Sequence, residues 1–298
     1  MLDVLIVGGG PAGLSAALIL GRCRRKVLLC DAGKPRNATS QAIHGFLTRD
    51  GLSPVTELHR LAREQLAPYA TVVLRDVRVE KITALHRGFR AQLADGAQID
   101  AHKVLLATGI VDELPDIPGF RELYGRGVWH CPYCDGFELR DRPIAVFGCD
   151  ARVVAEARAL TTLAGELVVC SNGRELEPSD RARLAVMAVR FESTPVVRLD
   201  ARPEGIAIVF QSGPALEVAG LFFCTGHHER SPLAASLGCH FTAEGLVEAD
   251  ERQATGVPGV WVAGDAARSV LLAIVAAGEG ATAAFAIHKE LLSDVFPT

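Results

Sequence analysis

The chain has 298 residues, of which 49% are hydrophobic, and its 31 basic and 35 acidic side chains leave a formal net charge of −4. A chain of this length and composition can bury two cores, so we expect about two domains. The slight negative charge excludes the broad basic surface with which proteins bind nucleic acids. No apolar run is long enough to span a bilayer.

The N-terminal residues carry the pattern of a dinucleotide-binding unit. The apolar run Val4–Val7 predicts a buried parallel strand. A glycine loop, a helix rich in alanine and leucine from Leu14 to Leu20, and a second apolar strand from Val27 to Cys30 follow it. Asp31 ends that second strand. This order of strand, loop, helix, strand and acid is the dinucleotide fingerprint in its full context.

Three glycines of the loop have separate expected roles. Gly8 allows the tight turn, Gly10 lets the backbone approach a pyrophosphate, and Gly13 lets the helix pack closely on the strand. The pyrophosphate would lie at the helix N-terminus, where free backbone amides and the helix dipole favour anions. Asp31 would accept hydrogen bonds from the ribose hydroxyls. The alternative, a glycine-rich turn without a ligand, leaves this context unexplained.

Two later segments indicate that the dinucleotide is FAD. The strand Val104–Ala107 is closed by Thr108 and Gly109. The strand Val260–Ala263 leads into Gly264 and Asp265, and then into an apolar helix that runs to about His288.

The first apolar run is short, lacks a basic leader and is needed for the fingerprint, so we expect no secretory signal and a cytoplasmic protein.

A pair of cysteines, Cys131 and Cys134, stands in the segment Cys-Pro-Tyr-Cys-Asp-Gly. Two cysteines separated by two residues can close a small-ring disulfide, which favours reversible redox chemistry. Such a pair also supplies half of a zinc site, with His130 as a third ligand, but no other cysteines have a matching spacing. We therefore predict a redox pair and no metal. The other six cysteines are expected to be reduced and mostly structural: Cys23, Cys30, Cys149, Cys170, Cys224 and Cys239.

These motifs together resemble those of the thioredoxin-reductase-like FAD-dependent disulfide oxidoreductases, over essentially the whole chain. The resemblance implies an α/β fold with two Rossmann-like, doubly wound three-layer domains, a homodimer, and Asp265 hydrogen-bonded to the ribityl chain of FAD. It also implies that Cys134 lies against the flavin, that Cys131 exchanges with the substrate, and that Asp135 manages the proton. An N-cap role for Asp135 is the alternative. The residues expected to bind FAD are Gly8, Gly10, Pro11, Ala12, Gly13, Asp31, Thr108, Gly109, Gly264 and Asp265.

One domain is expected to be inserted in the other. Residues 1–112 and 242–298 would form the FAD domain, and residues 113–241 an NAD(P)-type domain that carries the cysteine pair. The turn-rich segment Leu114–Gly119 is the expected hinge. Ile144–Gly148 and the helix after it weakly repeat Val4–Gly8, as a second nucleotide unit would.

That repeat is damaged where a nicotinamide cofactor would bind. In Gly148–Val153 only the first glycine remains, and Asp150 stands where a pyrophosphate needs bare backbone. Val153 replaces the small residue that allows close helix packing. After the strand Leu167–Cys170, the family places an adjacent arginine pair for the 2′-phosphate of NADPH. This chain has Ser171-Asn172-Gly173 there, with Arg174 nearby.

We therefore predict that tight NADPH binding is lost, the alternative being that Arg152 and Arg174 bind phosphate in an unusual pose.

A second departure from the family concerns the flavin. Leu271 and Leu272 stand where the family has an Arg-Gln pair near the pyrimidine end of the isoalloxazine. An apolar contact there would stabilise the anionic reduced flavin less.

The leading functional prediction is a thiol–disulfide oxidoreductase that uses FAD and is not driven by NADPH. It would be a dithiol oxidase that uses oxygen, or a reductase fed by another donor such as ferredoxin or a second flavin. Its partner would be a dithiol or disulfide, either a small molecule or a thioredoxin-like protein. The segment with Arg36 and His44 resembles the corresponding region of the thioredoxin-reductase-like dithiol oxidases. His130 precedes Cys131 and Tyr133 precedes Cys134, and there they would tune the acidity of the thiols, gate access or simply pack.

Two alternatives belong to other classes. The first is an NADPH-dependent thioredoxin reductase with an atypical nucleotide site, which Asp150 and the missing arginine pair disfavour. The second is a non-catalytic flavoprotein that acts as a binding or sensing module. The intact sequence of Cys131, Cys134 and Asp135 disfavours it, because a binding module has no need of a redox pair.

Overall fold

A computed structural model of the chain describes residues 1–268 and 270–296. They form two compact units. The first unit contains Met1–Ala38, Phe46–Val111 and the chain from His228 onward. The second contains Thr39–Gly45 and Asp112–His227. Each unit combines a parallel sheet with helices, which confirms the predicted α/β class.

Seventeen strands and eight α-helices are present in the described residues. The strands are β1 (Leu2–Val7), β2 (Val27–Cys30), β3 (Val72–Arg75), β4 (Val79–Ala84), β5 (Phe89–Leu93), β6 (Gln98–Leu106), β7 (Ile110–Asp112), β8 (Val128–Trp129), β9 (Pro143–Phe147), β10 (Glu166–Cys170), β11 (Arg190–Glu192), β12 (Val196–Arg202), β13 (Gly205–Phe210), β14 (Leu216–Val218), β15 (Gly220–Phe223), β16 (His227–Glu229) and β17 (Val260–Val262). The helices are α1 (Pro11–Arg22), α2 (Arg60–Leu66), α3 (Phe120–Leu123), α4 (Pro132–Asp135), α5 (Arg152–Leu160), α6 (Pro178–Val186), α7 (Leu233–Ser236) and α8 (Ala273–Ser293). Shorter helical turns are Arg36–Thr39, Pro54–His59 and Phe137–Leu139.

The sheet of the first unit has the strand order β3-β2-β1-β6-β5-β4, with β17 also paired to β6. Strands β1, β2, β3, β6 and β17 run parallel to one another, while β4 and β5 form an antiparallel hairpin beside β6. The four residues of β2 are all buried, as a strand covered on both faces requires. The carboxyl ends of β1, β2 and β6 therefore meet at one edge of the sheet, where ligands of such sheets bind.

Helices α1 and α8 pack against each other and cover one face of this sheet. Pro11 begins α1 at its first turn, where the missing amide costs nothing, and alanine fills the buried side. A Cβ atom on Gly280 of α8 would lie 2.0 Å from the carbonyl oxygen of Ala12. The two helices are thus so close that only glycine fits at this point. Ile6, Leu20 and Ile287 belong to the buried core that they share.

The second unit contains a five-stranded parallel sheet of order β11-β10-β9-β15-β8 and a separate antiparallel meander of β12, β13 and β14. After β9 the chain first adds strands on one side and later adds β15 on the other. This change of direction leaves a crevice at the carboxyl ends of β9 and β15. Phe120, Phe147 and Phe223 make edge-to-face contacts in the core, with ring centres 5.4 Å apart in both pairs.

The chain returns to the first unit at His228, earlier than the predicted boundary at residue 242. The physical reason is that Leu233, Ala234 and Cys239 are buried in the core of the first unit. The residues Thr39–Gly45 also differ from the prediction, since they belong to the second unit. In the described part of the chain, no helix combines the length and apolar character needed to cross a membrane.

Candidate active site

The glycine loop at the carboxyl end of β1 has the geometry of a ligand cradle. Gly8 has a φ of +113°, and a Cβ atom there would lie 2.1 Å from the carbonyl oxygen of Ala107. A Cβ atom on Gly13 would lie 1.9 Å from the carbonyl oxygen of Gly8. A Cβ atom on Gly10 would meet no atom within 4 Å. Gly8 and Gly13 are therefore required by the fold, while Gly10 faces open space at the N-terminus of α1.

Asp31 lies against this loop at the end of β2. Its Oδ1 atom accepts a hydrogen bond from the amide of Gly33 at 3.0 Å, and Oδ2 lies 3.3 Å from Nη2 of Arg63. A Cβ atom on Gly9 would lie 2.3 Å from Asp31 Oδ2, so the carboxylate touches the loop backbone. An acid fixed beside a glycine loop at a helix N-terminus suits a ribose next to a pyrophosphate.

The segment after β17 adds a second acid to the same unit. Gly264 has a φ of +80°, and its amide donates to Glu279 Oε2 at 2.8 Å. Asp265 Oδ2 lies 3.1 Å from Nη1 of Arg36, and both side chains are largely buried. Arg36 and Asp265 are brought together from opposite ends of the chain, a pairing that the sequence did not predict.

The remaining residues predicted to bind FAD line the same region of the first unit. Pro11 and Ala12 form the first turn of α1, and the Cβ atom of Ala12 would lie 3.2 Å from a Cβ atom on Gly264. Thr108 and Gly109 follow β6 after one residue, Ala107, and Gly109 has a φ of +67°. Open space at Gly10, the fixed carboxylates and the helix N-terminus fit the FAD that the resemblance implies.

Cys131 and Cys134 form a disulfide in the second unit. Cys131 caps α4, Pro132 begins the helix, and the amides of Cys134 and Asp135 donate to the carbonyl oxygen of Cys131. Positions three residues apart on a helical turn share one face, so this turn places the two sulfurs together. Cys131 is 8% exposed and Cys134 half-buried. Exposure alone thus does not mark Cys131 as the thiol that meets the substrate. The other six cysteines are free thiols.

Asp135 is half-buried beside the disulfide, and burial raises its pKa from 3.8 to about 7. The charge of His44 lowers this pKa and that of Glu138 raises it, but burial is the larger cause. His44 Nδ1 lies 3.7 Å from Glu138 Oε1, so the three groups form one cluster. Asp135 is the last residue of α4, and the following turn is capped by Gly136. The structure therefore does not support the N-cap alternative.

His130, which precedes Cys131, is held by two residues that the sequence analysis missed. Its Nδ1 atom lies 2.8 Å from the hydroxyl oxygen of Tyr124, and that hydroxyl lies 2.7 Å from Asp112 Oδ2. Tyr133, on the other side of Cys131, is 76% exposed. In the described residues, no cluster of three histidine, cysteine or acidic side chains is arranged to hold a metal ion.

A cavity of about 440 Å³ lies at the carboxyl ends of β9, β10 and β15, where a nicotinamide dinucleotide would bind in this type of sheet. Asp150 and Arg152 form a side-on ion pair at its wall. Arg152 Nη2 lies 2.6 Å from Asp150 Oδ2, and Arg152 Nε lies 3.0 Å from Oδ1. This pairing lowers the pKa of Asp150, so the carboxylate is held in its charged form. Val153 is fully buried in the core beneath Gly148.

The turn after β10 is also occupied by internal contacts. The Asn172 side chain accepts a hydrogen bond from the amide of Val196 at 2.8 Å, and the hydroxyl of Ser171 donates to the carbonyl oxygen of Arg174 at 2.5 Å. Arg174 Nη1 lies 3.6 Å from Sγ of Cys149. The polar groups of this turn therefore form hydrogen bonds within it and with its neighbours. Among the described residues that line the cavity, Arg174 is the one arginine in the turn after β10.

The comparisons with known proteins agree over the length of the chain. The family model described as pyridine nucleotide-disulphide oxidoreductase matches residues 2–280. A relative named thioredoxin reductase aclD, from Aspergillus oryzae, is 30% identical and aligns over 99% of this chain and 98% of its own. Thioredoxin reductase tcpT, from Claviceps purpurea, is 31% identical over 89% of this chain and 86% of its own. The crystal structure of an oxidoreductase from Agrobacterium tumefaciens superposes with a TM-score of 0.90 at 34% identity, covering 100% of this chain and 99% of that one.

Proposed function

We propose a function from the premise that this chain belongs to the pyridine nucleotide-disulphide oxidoreductase family. It is a thioredoxin-reductase-like, flavin-dependent oxidoreductase with the two-domain Rossmann fold of its neighbours. Within that class, we propose that it is a dithiol oxidase that NADPH does not drive. It would take two electrons from a dithiol, through Cys131 and Cys134, and pass them by way of FAD to oxygen.

The proposed FAD site is the glycine loop with its two fixed acids. Gly10 would let the pyrophosphate approach the free amides at the start of α1. Asp31 would accept hydrogen bonds from the ribose, and Asp265, held by Arg36, would bind the ribityl chain. When bound, FAD supplies a two-electron acceptor and passes the electrons on. The chain's own residues bind and orient it.

The thiol chemistry uses the disulfide seen in the second unit. A substrate thiolate attacks Sγ of Cys131, the Cys131–Cys134 bond breaks, and Cys134 leaves as a thiolate. The second substrate thiolate then attacks the mixed disulfide and releases Cys131. The substrate has lost two electrons and the enzyme has gained a dithiol. Asp135, whose pKa is about 7, takes or returns the proton of Cys134 near neutral pH.

The ion pair between Asp150 and Arg152 is the observation that carries the exclusion of NADPH. A pyrophosphate at this loop would meet a carboxylate held in its charged form, and the nearby guanidinium is already paired with that carboxylate. Charge-assisted hydrogen bonds to phosphate contribute about 1.5–3 kcal/mol each, so losing several of them weakens binding by orders of magnitude.

A second candidate is an NADPH-dependent thioredoxin reductase. Two observations favour it: the cavity of about 440 Å³ persists at the nucleotide edge of the sheet, and the relatives carry the name thioredoxin reductase. In that case electrons would flow from NADPH to the disulfide of a thioredoxin-like protein. The leading proposal also has a variant, a reductase fed by ferredoxin or by a second flavin. In that variant electrons would likewise flow from FAD to the same thiols and then to a disulfide substrate.

Anaerobic rapid mixing distinguishes these functions. We expect a small dithiol to bleach the flavin absorbance readily, and micromolar NADPH to bleach it slowly or not at all. Cys131→Ser should block electron entry from the dithiol, and Cys134→Ser should stop passage to FAD. The matched control is Cys239→Ser, which alters a buried free thiol of the other unit. Rapid bleaching by NADPH would establish the second candidate, and unchanged dithiol turnover in the double variant would place the chemistry elsewhere.

Assembly and location are part of the same proposal. The family resemblance supports a homodimer, which light scattering at working concentration would test. The six free cysteines support a reducing compartment, such as the cytoplasm. Cell fractionation would test that location.

A further inference from the structure

A glutamate of α8 and an arginine hold the turn that carries Asp265. Gly264 and Asp265 follow β17, and Glu279 lies in the second turn of α8. Glu279 Oε2 accepts a hydrogen bond from the amide of Gly264 at 2.8 Å, and Oε1 accepts one from Nε of Arg268 at 3.1 Å. Arg268 Nη2 also donates to the carbonyl oxygen of Asp250 at 3.0 Å. The carboxylate of Glu279 thus binds the chain just before Asp265 and a side chain just after it.

The turn at Gly264 is confined on several sides. Its φ of +80° lies in the left-handed region, and a Cβ atom there would lie 3.2 Å from the Cβ atom of Ala12 and 3.5 Å from that of Ala276. The carbonyl oxygen of Gly264 accepts a hydrogen bond from the amide of Ala267 at 2.9 Å. Since Glu279 binds its amide, both polar groups of this glycine are held. The direction in which the chain enters Asp265 is therefore fixed.

Packing alone does not account for an acid at position 279. The side chain of Glu279 is 12% exposed, and a buried carboxylate destabilises a fold unless it has partners. Burial raises the pKa of Glu279, and the nearby charge of Asp265 adds to that rise, so two acids lie close together. Each of them contacts a different guanidinium, Arg268 for Glu279 and Arg36 for Asp265. An apolar side chain would avoid these penalties, but it could not accept the hydrogen bond of the turn.

We propose that Glu279 and Arg268 are positioning residues for Asp265, and that their effect on FAD binding passes through the Asp265 carboxylate. This inference rests on the proposed FAD site and not on the proposed oxidation of a dithiol. With its amide held, the peptide before Asp265 cannot rotate, so the carboxylate already points to one place when FAD arrives. A side chain fixed before binding loses little conformational entropy on binding. Without the hydrogen bond, FAD would bind more weakly although no group that touches it has changed.

A double-mutant cycle separates this role from a general effect on folding. Full-length protein freed of its flavin is titrated with FAD, and the change in flavin fluorescence gives the Kd. Glu279→Met keeps the length of the side chain but removes the acceptor for the turn. We expect it to raise the Kd about tenfold in the otherwise wild-type protein, as the loss of one charge-assisted hydrogen bond implies. In an Asp265→Ala background the same substitution should change the Kd less than twofold, because the carboxylate that it positions is gone.

Three further variants sharpen the test. Glu279→Gln keeps an oxygen that can accept the hydrogen bond of the turn, and its Kd should stay within about threefold of the wild-type value. Arg268→Met removes the other partner of the carboxylate and should raise the Kd about threefold, again only where Asp265 is present. The matched control is Glu290→Met, which alters a glutamate in the last turn of the same helix. It should lower the thermal stability, because it removes an ion pair with Lys103, without changing the Kd.

The outcomes distinguish this inference from the proposals on which it rests. Equal effects of Glu279→Met with and without Asp265 would overturn the positioning role, and so would an unchanged Kd in the otherwise wild-type protein. Should Glu279→Met fail to fold, the same cycle with Arg268→Met decides, since that side chain is 35% exposed. A wild-type chain that binds no FAD would overturn the FAD site and the positioning role together. Coupling between the two acids in a protein whose flavin no dithiol reduces would support the positioning role and overturn the proposed oxidase.

Discussion

Replacing Asp135 by asparagine is expected to stabilise the protein more at pH 8.5 than at pH 5. Burial raises the pKa of Asp135 from 3.8 to about 7, so the folded state binds this proton more tightly than the unfolded state does. The wild-type free energy of unfolding therefore falls as the pH rises from about 4 to about 7, and the loss is complete above pH 7. Asparagine carries no charge in this range and escapes the loss.

The size of the effect follows from the two pKa values. A rise from 3.8 to about 7 sets a ceiling of about 4 kcal/mol, at about 1.4 kcal/mol for each pH unit. Between pH 5 and pH 8.5 only the loss above pH 5 is seen, about two pH units or about 2.7 kcal/mol, and because the side chain is half-buried, solvent screening reduces the expected difference to about 1–2 kcal/mol. Glu156 and Glu229 also have raised pKa values, of about 7 and about 6, but their contributions cancel between variant and wild type.

Urea unfolding of the oxidised protein, with FAD in fixed excess and followed by the fluorescence of Trp129 and Trp261, measures this difference at pH 5 and pH 8.5. The matched control is Asp141→Asn, which alters an exposed aspartate of the same unit at a positive φ that asparagine tolerates. The control should show no pH-dependent difference. The reasoning fails if Asp135→Asn changes the unfolding free energy equally at both pH values.

Four other substitutions test features of the two units. Gly10→Ala should preserve folding, because its Cβ meets no atom within 4 Å, yet it should weaken FAD binding at least tenfold in a titration. Undiminished FAD binding by this variant would contradict the proposed cradle. Gly13→Ala should instead disrupt folding, since its Cβ would lie 1.9 Å from a carbonyl oxygen. Lys103→Met removes the contacts at 2.5 Å with Glu290 in the last turn of α8 and at 3.0 Å with Asp294, which caps that helix. It should cost about 1–2 kcal/mol by thermal unfolding, and less at high salt. Glu156→Met removes a buried Oε1 atom that has no hydrogen-bond partner in the described residues. Because burial raises the wild-type pKa from 4.5 to about 7, the gain in the free energy of unfolding should grow as the pH rises from about 4.5 to about 7 and reach about 1–2 kcal/mol. A gain confined to pH 5 would refute this reasoning.

Local sequence patterns were sufficient for the central strands and the glycine loop. The strand Val27–Cys30 was predicted with the bounds that the structure has. Four consecutive apolar residues between polar ones match a short buried strand and are too few for a helix. Gly8 and Gly13 have the tight geometry that the fingerprint predicts, since the positive φ of Gly8 and the approach of Gly13 to the Gly8 carbonyl both arise within the loop's own backbone. The long helix α8 begins at Ala273 and passes the predicted end at His288, reaching Ser293.

Contacts between distant residues could not be predicted in the same way. Nothing in the local sequence relates Arg36 to Asp265, because their 3.1 Å contact depends on how the two ends of the first unit come together. Tyr124 and Asp112 are ordinary in sequence, and only the paths of β7, α3 and β8 bring them to His130. The return of the chain to the first unit at His228 was missed for a related reason. The apolar side chains of α7 could belong to the core of either unit, and their residue types do not tell which.

The close contact between α1 and α8 has a consequence for biosynthesis. Strand β1 and helix α1 are synthesised long before the glycine of α8 that covers Ala12, which is residue 280. Strand β17, which completes the parallel pairing along β6, also comes from the last part of the chain. The second unit, by contrast, has all its residues by His227. The inserted unit can thus fold while synthesis continues, whereas the core of the unit with the glycine loop cannot be completed until α8 has been synthesised.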